Sequence, residues 1–117
     1  MIEGLMQAIQ PEYMFWLTVG VMIGMVVGTL PGLTATMGTA LLVPFTFALE
    51  PGQGMAMLGG LYVCAMFSDA IPACLVNTPG TPAAMATAFD GHPMTLQGRG
   101  QEAIVASCFS SALGTLF

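Results

Sequence analysis

Between Glu12 and Glu50 the chain runs 37 residues without a charged side chain. Three more uncharged runs follow, at 51–68, 70–89 and 103–117. About 20 helical residues cross the hydrocarbon of a bilayer, so runs of this length read as membrane spans. A water-facing surface needs interspersed charge of both signs. Here charged residues make up 6% of 117, and Arg99 is the single base. That argues against a soluble all-α domain. A net charge of −5 argues against nucleic acid as a partner. Cys64, Cys74 and Cys108 show no CxxC spacing and lie in apolar runs, so they read as small buried hydrophobes. One histidine and no Cys/His cluster argue against a zinc site.

The breakers inside these runs divide the chain. Ile2, Leu5, Met6 and Ile9 recur at helical spacing, which predicts a short interfacial helix within 1–12, ended by Pro11. The stretch has two acids and no base, unlike a signal peptide. Tyr13, Phe15 and Trp16 suit the headgroup level. Apolar helices are predicted over 13–30, 34–49, 55–76 and 103–117, with Pro44 a kink and Asp69 and Pro72 disturbing the third. EPGQG (50–54) reads as a polar turn and 83–89 as a short helical piece. Residues 90–102 read as an aqueous loop, with His92 a turn residue at the water boundary. Gly20, Gly24 and Gly28 form a small-xxx-small row where a second helix can approach closely. The last apolar run has no polar cap, so the chain reads as the N-terminal piece of a longer protein.

Two interruptions carry the functional expectation: LPGLTAT, from Leu30, and NTPGTPAAMAT, from Asn77. Proline lacks an N–H and disfavours helix in the residue before it. Irregular backbone at membrane depth survives only inside protein or beside a cavity. Transporters use such discontinuous helices, whose free N–H groups point at anionic groups. The second break would offer Thr81 and its successors, the hydroxyls of Thr78 and Thr81 and the amide of Asn77. The first would offer Thr34 and Thr36. The competing reading makes each break an interfacial turn between spans. Asp69 is the one ionisable group within a long apolar region, which suits an ion ligand or proton carrier. It could equally cap a helix end at the interface.

Four elements in order then resemble the large membrane (permease) subunit of the tripartite tricarboxylate transporters, the TctA family. They are Gly28 to Leu33 (GTLPGL), Leu41 to Phe47 (LLVPFTF), Cys74 to Thr81 (CLVNTPGT) and Asp90 to Gly100 (DGHPMTLQGRG). Ser68-Asp69-Ala70 departs from a Gly-Gly-Ser-like stretch common in that family. Pro72 and Cys64 depart from Thr or Ser and from Gly. The resemblance implies a polytopic, all-α transmembrane protein with Pro-Gly-broken, discontinuous or re-entrant helices and an internal repeat. The whole would be roughly four times longer, with about a dozen spans. It implies a multi-pass protein of a bacterial inner membrane, working with a small membrane subunit and a periplasmic solute-binding protein. The family takes up tricarboxylates or related carboxylates on a cation gradient, Na+ or H+, and needs no cofactor and no enzymatic chemistry.

On this reading Pro31, Gly32, Leu33 and Thr34 line the carboxylate and ion site together with Asn77, Thr78, Pro79, Gly80, Thr81 and Asp69. Two helix N-termini supply about one positive charge, enough for one carboxylate and not three. The alternative is a non-transporting membrane scaffold packed through the glycine row.

Overall fold

Proline sets where several helices begin. Pro11, Pro51 and Pro82 each stand in the first turn of a helix, where the missing N–H has no carbonyl to lose. The computed structural model describes residues 1–117 and is all-helical. Its helices are α1 (Ile2–Ala8), α2 (Pro11–Thr29), α3 (Ala35–Thr46), α4 (Pro51–Ser68), α5 (Ala70–Val76), α6 (Pro82–Leu96) and α7 (Gly100–Leu116). Pro11 therefore opens α2, whereas its predicted part was to end the first helix. Pro51 opens α4, so the turn expected at 50–54 is already helical from Pro51 onward.

The glycine row brings α2 against α4. A Cβ added at Gly24 or Gly28 would fall 2.5 Å from the carbonyl oxygen of Leu61 or Ala65, and one at Gly20 would collide with the Met57 carbonyl. Partner numbers rise together, so the two helices run parallel. A parallel pair needs a return path, and α3 supplies it. Gly38 packs against Val27 of α2 and Leu61 of α4, and Thr46 lies beside Gly54. With 12 residues, α3 is shorter than a full crossing. Pro44 lies inside it.

α4 and α5 form a nearly continuous helix of 26 residues, Pro51–Val76. The Asp69 N–H still bonds the Ala65 carbonyl (3.1 Å), and the Ala73 N–H bonds the Asp69 carbonyl (3.4 Å). The irregularity at Asp69 has a local cause: Pro72 has no N–H to give the carbonyl four residues back. Residues 77–81 then fold back along the helix just completed. Gly80 and Thr81 reach Asp69, seven residues before the end of α5, about 10 Å along a helix axis. From there α6 climbs past Ala73, which packs with Ala84 and Ala88, to Cys74, which meets Gly91. α7 starts where Gly100 meets Leu75 and runs back towards Tyr62.

The stretch 90–102 differs from the expected loop. Asp90 to Leu96 continue α6, and the turn is confined to Gln97, Gly98 and Arg99. Polarity alone does not end a helix, and Gly91 is held in α6 by the Cys74 sulfur, 2.5 Å from where a Cβ would stand. His92 is accordingly a half-buried helix residue, with Nδ1 3.4 Å from the Cys74 carbonyl oxygen. Only 18 of 117 residues are buried, so the exterior is apolar: Met22, Val26, Leu41 and Phe45 all face outward. An apolar exterior of this extent suits lipid or further protein rather than water. α2 and the α4–α5 helix are each long and apolar enough to cross a membrane.

Candidate functional site

The first break is a tight turn. Pro31 and Gly32 take its two central positions, Gly32 has φ +91, and the Leu33 N–H closes it on the Leu30 carbonyl at 3.2 Å. That is type II geometry, which needs glycine at its third position. Thr34 follows as N-cap of α3, its hydroxyl oxygen accepting from the Met37 N–H at 3.3 Å.

The second break shares the Pro-Gly letters and differs in design. α5 ends at Asn77, which adopts the left-handed conformation (φ 56, ψ 33), while the Asn77 and Thr78 N–H groups bond the Pro72 carbonyl. Asparagine tolerates that conformation better than most residues. Gly80 is needed for room. A Cβ there would lie 2.8 Å from Asp69 Oδ1 and 3.1 Å from the Leu33 carbonyl oxygen. Thr81 caps α6 through the Ala84 N–H (3.4 Å).

The first break meets the second at Gly80, and the second is bonded to Asp69. Its carboxylate is 3% exposed. Oδ1 accepts the Gly80 N–H at 2.8 Å, and Oδ2 accepts the Thr81 hydroxyl at 2.5 Å. Charge-assisted hydrogen bonds of this kind are among the stronger ones. Leu33, Gly80, Thr81 and Asp69 are thus brought together. Pro31, Gly32, Asn77 and Thr78 are exposed and stand away from the carboxylate, with the Thr78 hydroxyl bonded to the Val76 carbonyl. Thr34 and Pro79 are half-buried. The Gly80 N–H and the Thr81 hydroxyl, expected to face a solute, are bonded to the Asp69 carboxyl group of the same chain.

A cavity of about 590 Å³ lies beside this junction, between α4–α5, α6 and α7. Thr81 and Ala70 border it, and Tyr62, Thr87, Ser107, Ser111 and Thr115 also line it. Ser107, Ser111 and Thr115 recur every fourth residue along α7. That hydroxyl stripe in an apolar helix was the overlooked signal, because attention to breaks passes over unbroken helix. No charged side chain lines the cavity. Arg99 is elsewhere, exposed at the α6–α7 turn, with Nε 2.8 Å from Glu102 Oε2 and Nη2 on the same oxygen. The hydrogen bond and charge of Glu102 raise the Arg99 pKa above its usual value.

Comparison with known proteins now bears on this arrangement. Residues 14–117 match the family model described as the Tripartite tricarboxylate transporter TctA family. The chain belongs to the TctA family. An Agrobacterium vitis relative, described as an uncharacterized 52.8 kDa protein in the TAR-I ttuC' 3' region, is 37% identical over 97% of this chain and 22% of its own length. An uncharacterized protein of Methanocaldococcus jannaschii is 31% identical over 89% of this chain and 26% of its own length. The chain thus spans about a quarter or less of each relative it matches. No solved structure matches. Both breaks, Asp69 and the hydroxyl-lined cavity lie within the TctA match. The family is one of transporters rather than enzymes.

Proposed function

We propose that this TctA chain forms part of the permease subunit of a secondary transporter for tricarboxylates or related carboxylates. A cation gradient drives it, and a periplasmic solute-binding protein and a small membrane subunit work with it in a bacterial inner membrane. The supporting observation is the meeting of the two Pro-Gly breaks at Gly80, which is bonded to buried Asp69. Irregular backbone joined to a buried polar group between apolar helices is what transporters use to build solute and ion sites. The Leu33, Gly80 and Thr81 backbone, with Asp69, forms the wall of that site, and the hydroxyl-lined cavity beside it extends the path.

A second reading, a non-transporting scaffold, is favoured by one observation. Thr34, Asn77 and Thr81 all have capping roles, so the breaks could serve as turns alone. Uptake of radiolabelled citrate into proteoliposomes carrying the full-length protein separates the two. Gly80→Ala pushes a methyl group between Asp69 and Leu33. It is expected to lower uptake at least tenfold while membrane insertion is retained. Absence of uptake by the natural protein would leave the scaffold reading standing, and full uptake by both Gly80→Ala and Pro79→Ala would remove the site assignment.

A further inference from the structure

We propose that Asp69 is a proton-binding site whose occupancy releases Gly80 and Thr81, at the start of α6, from the α4–α5 helix. This deepens the transport reading by naming its coupling ion. The carboxylate is almost wholly buried, and each of its oxygens faces a donor, the Gly80 N–H and the Thr81 O–H. Donors hold an anion. A bound metal cation would instead need a shell of several acceptor oxygens, about six to eight for an ion such as Ca2+. The Thr81 oxygen is also engaged by the Ala84 N–H. No acceptor shell for a metal ion surrounds the carboxylate, and a buried acid without a cationic partner is where membrane proteins carry protons. The two donors oppose that proton, so its binding works against their hold.

No other charge faces Asp69. α3 and the first break carry no titratable side chain. On α2, Glu12 and Tyr13 lie at the opposite end, near Gln53 and Gly52. On α6, His92 is turned to the Cys74 carbonyl and Asp90 is exposed. On α7, Glu102 is paired with Arg99 and Cys108 lines the cavity. On its own helix, Tyr62 lines the cavity too, Cys64 lies near Ser68, and Cys74 is packed on Gly91.

The step balances simply. A proton from water binds one carboxylate oxygen, and no covalent bond breaks. The neutral acid is a weaker acceptor, so the hold on Gly80 and Thr81 slackens. The start of α6 then presents its amide and hydroxyl to a solute carboxylate, which restores the negative charge the proton cancelled. Solute and proton enter the site together.

Hydrogen exchange of the 77–84 segment tests this on full-length protein in detergent, with rates corrected for the chemical effect of pH. In the natural chain, acidification is expected to speed exchange about tenfold or more, the scale of one charge-assisted hydrogen bond. Asp69→Asn keeps an acceptor for Gly80 but cannot take up the proton, and its corrected rate should not change with pH. Thr81→Ala removes one of the two contacts with Asp69, so its segment should exchange faster than the natural chain's at neutral pH. A flat profile in the natural chain, a pH-dependent corrected rate in Asp69→Asn, or an unchanged rate in Thr81→Ala overturns the proposal. Absence of citrate uptake at every pH would instead strike the permease reading, since the exchange measurement does not depend on a solute.

Discussion

At the scale of single residues, the two glycines of the Pro-Gly pairs are expected to fail differently. Gly32 has open space around it and a positive φ. Gly32→Ala should therefore cost about 1–2 kcal/mol from backbone strain alone, read as a lower unfolding temperature in detergent. Gly80 carries no such conformational demand, and its substitution acts through Asp69 and Leu33. Asn77 makes a similar distinction. Asn77→Gly keeps the left-handed cap and should leave stability near its natural value, whereas Asn77→Ala should cost on the order of 1 kcal/mol. A transport defect in Asn77→Gly would thus report the amide side chain rather than the backbone. Arg99 illustrates a group with little at stake. Its raised pKa means that any stability it contributes is present below its ordinary value and lost only in strong alkali. The exposed pair with Glu102 is screened by salt, and Glu102→Gln should leave the unfolding temperature unchanged.

At the scale of elements, the α2–α4 contact is the least forgiving part of the chain. The atoms facing Gly24 and Gly28 are backbone atoms of Leu61 and Ala65, which cannot swing aside. Gly24→Ala should separate the helices at a cost of about 1–3 kcal/mol. Gly59, on α4 with nothing near it, is the control. Gly59→Ala should be neutral or stabilising by about 0.5–1 kcal/mol. Comparable unfolding temperatures for the two variants would contradict the parallel packing described above. The row was legible as a packing face from its spacing. Its partner and the parallel direction were not, because a four-residue repeat says how close a neighbour can come and nothing about which helix it is.

At the scale of the whole molecule, the longest dimension is 48 Å. That compares with about 40–45 Å for a bilayer including its headgroups. Few residues are buried, and the outer faces of α2, α3 and α7 are apolar. Residues 1–117 expressed alone should partition into the detergent phase, and recovery from water without detergent would contradict the membrane reading.

Charge-free length, proline and glycine determined by themselves that this chain is helical, suited to a bilayer, and broken near residues 31 and 79. Those are properties of the backbone and of transfer from water, and each is local. The sequence reads 90–102 as a loop because its polarity is visible there, whereas the packing of Gly91 on Cys74, within a helix that runs to Leu96, is not. Tertiary structure alone decided that 77–81 folds back to Asp69, that Gly80 yields space to Leu33, and that the freed donors already grip a carboxylate. Such closure brings Gly80 beside Leu33, far earlier in the chain, and no local pattern encodes a contact made only when packed helices bring distant backbone together.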